Sequence, residues 1–239
     1  MLTTEELNKQ LTQLYLSRAN DFRKVLKELS VQDKEKSYPG PLLISPTPKY
    51  VNQNTKVLII GQQTNGWSYW RKDIDDVENV KILLKLYKNF NLGENVGSTP
   101  FWNVIRKLEE ALGIEPLSVL WTNINKFSAE YKKNTSEIIS LSDNEIDIIS
   151  KVGDLLINEI EILQPDICIF FTGPNLDEKL KSIFEGILFE EVSNWDTREL
   201  AKLKHQKLPE LSFRTYHPSF LRRIKNLEEK FINFMKKTK

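Results

Sequence analysis

The chain has 239 residues, 40% of them hydrophobic and 28% charged, and its 34 basic and 33 acidic residues leave a formal net charge of +1. That balance excludes a protein held to nucleic acid by bulk charge, while permitting a local basic patch. A single cysteine, Cys168, excludes an intrachain disulfide framework and any cluster or zinc site needing several thiolates, and two histidines, His205 and His217, exclude a site of several imidazoles. No metal or cofactor is expected. The N-terminus lacks a basic segment followed by an apolar run, and no stretch approaches ~18 consecutive apolar residues. The expectation is a soluble, cytoplasmic protein without membrane contact.

Thr3 or Thr4 before Glu5 and Glu6 reads as a capped, acidic helix start, and Leu7, Leu11, Leu14, Phe22, Val25 and Leu29 continue at helical spacing. One amphipathic helix is therefore predicted over 4–29. It stops before the proline-rich stretch 38–48, which is predicted to run extended over the surface as a wrap, since prolines bar a regular helix or central strand. Four apolar runs then read as buried strands, at 56–60, 118–122, 166–171 and 213–216, with a weaker one near 187–193. Helical patterns separate them, at 76–90, 100–112, 144–162 and 175–184, with a last helix over 219–237. Alternating strands and helices predict a three-layer α/β/α sandwich around a central, mainly parallel sheet. Residues 1–239 are read as one domain, with 1–50 the N-terminal helix and wrap and 51–239 the α/β core.

In an open parallel sheet, ligands bind at the carboxyl ends of the strands. The segments that follow the four strands are Gly61-Gln62-Gln63, Asn123-Ile124-Asn125-Lys126, Thr172-Gly173-Pro174-Asn175 and His217-Pro218-Ser219. They offer amide, hydroxyl and imidazole groups rather than carboxylates. The glycines fit neither a dinucleotide fingerprint nor a phosphate loop, because Trp67 stands where the latter needs lysine. His217 precedes a proline, which holds it extended at the strand end, and Ser219 is placed to cap the helix that follows. Leu221, Arg222, Arg223 and Lys225 then form an apolar tip beside a basic cluster. Asn123 can present both an amide donor and an acceptor to a ligand edge. Phe101 and Trp102 open a helix at the same rim, as core residues or as a stacking surface. Cys168 lies within an apolar strand and is read as inert. The Gly-x-Ser-x-Gly elbow of a serine hydrolase is absent.

Taken together, these segments resemble the uracil-DNA glycosylase superfamily. Thr215-Tyr216-His217-Pro218-Ser219-Phe220-Leu221-Arg222 is similar to its second motif, Gly61-Gln62-Gln63 stands where the first belongs, and Thr122-Asn123-Ile124-Asn125-Lys126 resembles its Thr-Asn-x-x-Lys segment. The stretch Glu161–Gly173 resembles the third-strand region. The likeness runs from about residue 55 to 225. Two departures stand out. Many members carry a carboxylate in the first motif, where this chain has Gln62 and Gln63, and iron–sulfur members need four cysteines. The stretch from Ser68 to Val96 is long, and its Tyr69-Trp70-Arg71 start is expected to build part of a different pocket.

The resemblance implies a monofunctional enzyme that flips a nucleotide out of DNA, hydrolyses its N-glycosidic bond and leaves an abasic site, acting as a monomer in repair or in defence against foreign DNA. His217 and Gln63 would be catalytic, the histidine meeting charge on the departing base and the glutamine placing water. Gly61, Gln62, Phe101 and Asn123 would bind the base. Ser219, Arg222 and Arg223 would hold phosphates, and Leu221 would fill the vacated stack as a wedge. The base is uracil by default, with a modified pyrimidine as competitor. Two other classes remain open. One is a catalytically inactive nucleic-acid-binding relative. The other is a nucleotide-binding α/β protein without DNA contact, against which stand seven basic residues: Arg198, Lys202, Lys204, Lys207, Arg222, Arg223 and Lys225.

Overall fold

A computed structural model describes residues 2–238 except 65, 95–97 and 133–138. The chain begins with α1 (Thr4–Ser17), closed by a reciprocal capping box between Thr3 and Glu6, and α2 (Ala19–Leu29). These replace the single helix expected over 4–29. The buried stripe Leu7, Leu11, Tyr15, Ala19, Phe22, Val25, Leu29 runs unbroken across the junction, so hydrophobic spacing gave no sign of it. The break has a local cause. The Ser17 hydroxyl donates to the Leu14 carbonyl at 2.7 Å, and the Arg18 N–H is shared between Leu14 and Tyr15 carbonyls at 3.2 Å each, which tightens the last turn.

The proline-rich wrap also departs from expectation. Tyr38 to Pro46 are all buried. Its backbone donors are satisfied by loops of the core: Gly40 N–H donates to Ser68 at 2.8 Å and Leu42 N–H to Lys126 at 2.8 Å, while Ile44 N–H donates to the Tyr15 hydroxyl at 3.1 Å. An apolar segment with such partners gains more from burial than from lying on the surface. Two short pieces flank it: β1 (Lys36–Ser37) and α3 (Pro48–Val51).

Next come β2 (Val57–Gly61), α4 (Asp76–Phe90), α5 (Pro100–Leu112), β3 (Leu120–Asn123), the short β4 (Glu130–Tyr131) that pairs with β1, α6 (Asp143–Ser150), α7 (Asp154–Leu163) and β5 (Ile167–Phe170). The last part holds α8 (Asp177–Ile183), β6 (Leu188–Glu191), β7 (Leu200–Lys204), β8 (Leu211–Thr215), α9 (Pro218–Leu221) and α10 (Leu227–Lys237). The main sheet has six strands in the order β3-β2-β5-β8-β7-β6. The first four run parallel, and β7 and β6 add an antiparallel edge.

β7 was not expected, because Leu-Ala-Lys-Leu-Lys alternates rather than forming an apolar run. The helix expected over 144–162 breaks at 151–153, where the Ser150 hydroxyl donates back to Ile146 at 2.8 Å and Gly153 sits against Ile183. The helix expected over 219–237 is a single turn and a longer helix, separated by Asn226 in the left-handed region at φ 62°.

Successive strand residues face opposite ways. Phe171 packs on Phe101 of α5 and Phe231 of α10, whereas its neighbour Phe170 packs on Phe184 just after α8. On that second face Thr122 meets Glu159 of α7, and α1 packs outside α7. The helices thus form two layers around the sheet, and the N-terminal pair belongs to the same continuous core. Among the described residues, no helix is long and apolar enough to cross a membrane.

Candidate active site

The parallel order brings the carboxyl ends of β3, β2, β5 and β8 side by side, so the four polar segments read from the sequence meet along one edge. Backbone bonds continue past the strands. Ile124 N–H donates to Gly61 and Asn125 N–H to Gln62, both at 2.9 Å, locking the segments after β2 and β3 together. Gln62 is tied to the segment after β5, its side-chain amide donating to the Thr172 carbonyl at 2.9 Å.

Gly61 sits at the crossing point. A Cβ there would lie 2.4 Å from Asn123 Oδ1, 3.3 Å from Trp121 Nε1 and 3.5 Å from Phe101 Cε2. Only glycine leaves that space, so Gly61 is needed for close approach. Asn123 is 1% exposed, and its Oδ1 accepts from Trp121 Nε1 at 3.1 Å, while its Nδ2 is buried with no partner among the described residues. An unpaired buried donor of this kind costs about 1–3 kcal/mol and calls for a ligand or a solvent partner.

Phe101 joins Gly61 to His217. Its ring lies 5.7 Å from the imidazole, with planes 23° apart. The histidine caps α9: its Nδ1 accepts the Ser219 N–H at 3.2 Å. This leaves Nε2 to carry the proton of the neutral ring and to donate it outward. Burial pushes the His217 pKa below its ordinary value, which favours that neutral state. The expected cap, Ser219, is therefore corrected. Helix α9 starts one residue earlier with Pro218 at its first position, so His217 takes the capping place and Ser219 supplies the backbone donor.

Gln63 donates its amide to the Ile139 carbonyl at 2.8 Å, which fixes the side chain and leaves Oε1 as an acceptor. Lys179 of α8 reaches across to Asn125 Oδ1 beside the Gln62 segment, and burial lowers its ammonium to about 8. Lys126 of the Thr-Asn-x-x-Lys segment turns away from the site. It lies buried on the other face of β3 with Thr122 and Glu159, and Tyr15 donates to the second Glu159 oxygen at 3.0 Å.

The wedge assignment is overturned. Leu221 is 0% exposed and belongs to the core, whereas Phe220 is 42% exposed and packs on Tyr216 at 4.5 Å. A single helical turn buries only one of two adjacent side chains, and here it is the leucine. The seven basic residues also divide. Lys202, Lys204 and Lys207 pair with Glu210, Glu190 and Glu161, and because β7 runs antiparallel to β8, Lys204 and Lys207 lie toward the sheet edge opposite the site. Arg222 sits 3.8 Å from a Glu228 carboxylate oxygen, while Arg198, Arg223 and Lys225 are exposed without an ion pair among the described residues.

Sequence reasoning missed the aromatic wall behind the site. Trp121 lies within 6.4 Å, centroid to centroid, of Trp67, Tyr87, Phe90, Phe101 and Trp102. Tyr87 and Phe90 come from α4, in the long stretch 68–96 but beyond its Tyr69-Trp70-Arg71 start. The one signal in the sequence was the density of aromatic residues between 67 and 121.

The fold and the edge chemistry define an α/β protein whose parallel strands end in a glycine, two amide-bearing residues and a neutral histidine flanking an aromatic ring. Residues 48–239 match the uracil DNA glycosylase superfamily, and the chain belongs to that family. No curated protein matches the chain. Family membership supports a DNA-glycosylase type of function and DNA as the substrate.

Proposed function

We propose that the protein is a monofunctional DNA glycosylase that receives a flipped nucleotide, hydrolyses its N-glycosidic bond and releases uracil or a modified pyrimidine. The observation that carries this reading is the buried, unpartnered Nδ2 of Asn123, gathered with His217 around Phe101 and Gly61. Flipping costs a few kcal/mol. Phe220, the exposed apolar side chain beside His217, is suited to fill the vacated stack, and Ser219, Arg222 and Arg223 to hold the flanking phosphates. Phe101 stacks on the base, Asn123 meets its edge, and Gln62 lines the pocket through its backbone.

Cleavage leaves an oxocarbenium-like sugar and an anionic base. Neutral His217 donates from Nε2 to the oxygen on which that charge grows, an electrostatic role fixed in advance by the Ser219 N–H on Nδ1. Gln63 Oε1 accepts from the attacking water and orients it. Because an amide cannot take the proton, turnover should be slower than with a carboxylate, by up to about 10²–10⁴-fold.

The test is abasic-site formation under single turnover, with duplexes carrying uracil, mismatched thymine or modified cytosines. Wild type is expected to cleave at least one. His217→Ala is expected to lose about 10²–10³-fold, the scale of removing an oxyanion donor, with ground-state DNA affinity little changed. Wild-type silence across the panel with DNA binding retained would leave a nucleic-acid-binding relative instead.

A further inference from the structure

Gln63 takes its direction from a carbonyl, and that carbonyl lies on a segment with its own anchor. Ile139, which accepts the Gln63 amide at 2.8 Å, stands three residues before Ser142, the N-cap of α6. A capping box closes this helix start: Glu145 Oε2 accepts the Ser142 N–H at 2.7 Å and the Ser142 hydroxyl at 2.9 Å. Glu145 is 1% exposed, because two side chains from the N-terminal segment close over it. Lys36 Nζ donates to its two oxygens at 2.9 and 3.0 Å, and the Tyr38 hydroxyl donates to Oε1. Burial would raise the Glu145 pKa, but the bonds from Tyr38, Ser142 and Lys36 outweigh it and hold the group below its ordinary value, as a carboxylate. Ser37, between the two, points the other way, as alternation along an extended chain requires, and its hydroxyl meets that of Tyr69 at 3.0 Å. Gly40 then donates to Ser68 of the same loop. One N-terminal ribbon thus grips both the loop that follows Gln63 and the helix start that holds its side chain. These contacts come from residues 36–40, outside the stretch 48–239 that matches the family.

We propose that Lys36 and Tyr38 are positioning residues for the reaction: by clamping Glu145 they fix the Ile139 carbonyl, which orients Gln63 and through it the attacking water. This rests on the reading of Gln63 as the residue that places water. A carbonyl free to shift would let the Gln63 amide turn, and a misplacement of about 1 Å can slow a reaction on the order of 10²-fold. Both side chains are spent on Glu145, so their effect falls on the rate of bond cleavage and not on DNA affinity.

The test uses the full chain, with single-turnover excision measured beside affinity for a duplex carrying 2′-fluoro-2′-deoxyuridine, whose sugar resists cleavage. Tyr38→Phe and Lys36→Met keep most of the side-chain volume and remove the clamp bonds one partner at a time. Each is expected to slow excision about tenfold, with affinity within about threefold of wild type. In a Gln63→Ala background the same changes are expected to cost less than about twofold, because the group they position is gone. Tyr15→Phe is the control: it breaks an N-terminal contact to Glu159 instead, and should lose stability while excising within about threefold of wild type. Should Lys36→Met fail to fold, Tyr38→Phe reads the same clamp. Equal losses with and without Gln63 would make the clamp a general support of the fold and overturn the proposal, as would unchanged excision in both variants. Either result leaves the glycosylase reading intact. A wild type that excises from no duplex overturns that reading, and the hold on Gln63 is then read by hydrogen exchange over 60–64. Faster exchange there in Tyr38→Phe upholds the clamp, and unchanged exchange overturns it.

Discussion

Thr122 and Asn123 are neighbours on β3, yet they end in opposite kinds of polar environment. Thr122 faces a closed cluster in which Lys126, Glu159 and Tyr15 satisfy one another, with all four side chains buried and the chain brought together over 144 residues. Asn123 faces the aromatic wall, with one end of its amide partnered and the other bare. Burial lowers the Lys126 pKa and raises that of Glu159, so the pair holds its charges only through these mutual contacts. A saturated buried cluster fixes the fold. A buried amide left open, at a strand end in a parallel sheet, is free to meet a ligand, the role proposed for Asn123. The same strand serves both needs because its side chains alternate.

The largest effect should come from opening the closed cluster. Glu159→Ala leaves the Lys126 ammonium buried without a counter-charge and should cost about 3–5 kcal/mol, measured by urea denaturation. The double variant Lys126→Met/Glu159→Leu should recover much of that loss, since an apolar pair of similar volume needs no partners. A double variant as unstable as the single one would show that the cluster's value lies in its charges.

The open side should answer to pH. A His217 pKa below the ordinary value of about 6.5 keeps the ring neutral into mild acid, so the acid limb of kcat/KM should fall below that value. Protonation would put a hydrogen on Nδ1 facing the Ser219 N–H and break the cap. The sign for stability is the same: the contribution is full above about 6.5 and is lost as pH falls through the lower folded value. A limb above 6.5 would mean a charged histidine in the working state.

A smaller effect belongs to the rim. Arg222→Ala/Arg223→Ala should weaken DNA binding across sequences alike and reduce the salt slope by about one to two, given that Arg222 is partly engaged by Glu228. An unchanged slope would place the DNA path elsewhere.

The parallel half of the sheet was legible because β2, β3 and β5 carry apolar runs and the fourth strand, β8, ends at the Tyr216-His217-Pro218 signal, so Gly61, Asn123 and His217 could be placed at strand ends. The antiparallel edge was only partly legible. β6 falls within the weak strand expected at 187–193, but β7 hides its buried face among lysines. Helix breaks at 18 and 151–153 escaped notice because the apolar stripe runs through the first and serine back-bonding, a local effect, marks both. Leu221 was misread because spacing cannot choose the buried face of a one-turn helix. Trp121 looked like any strand residue, and the Tyr15–Glu159 contact joins elements that only the fold brings together.

Thr122 and Asn123 carry this contrast, and one paired measurement addresses it: urea stability and single-turnover excision for Thr122→Val and Asn123→Ala. Thr122→Val should lose about 1–3 kcal/mol by removing a partner from the closed cluster, with excision within about threefold of wild type. Asn123→Ala should change stability by less than about 1 kcal/mol, because losing the orphaned donor offsets the bond lost from Trp121, yet excision should fall about 10–100-fold. An Asn123→Ala variant that loses stability as Thr122→Val does and still excises at the wild-type rate would contradict the claim that this amide is held open for a base.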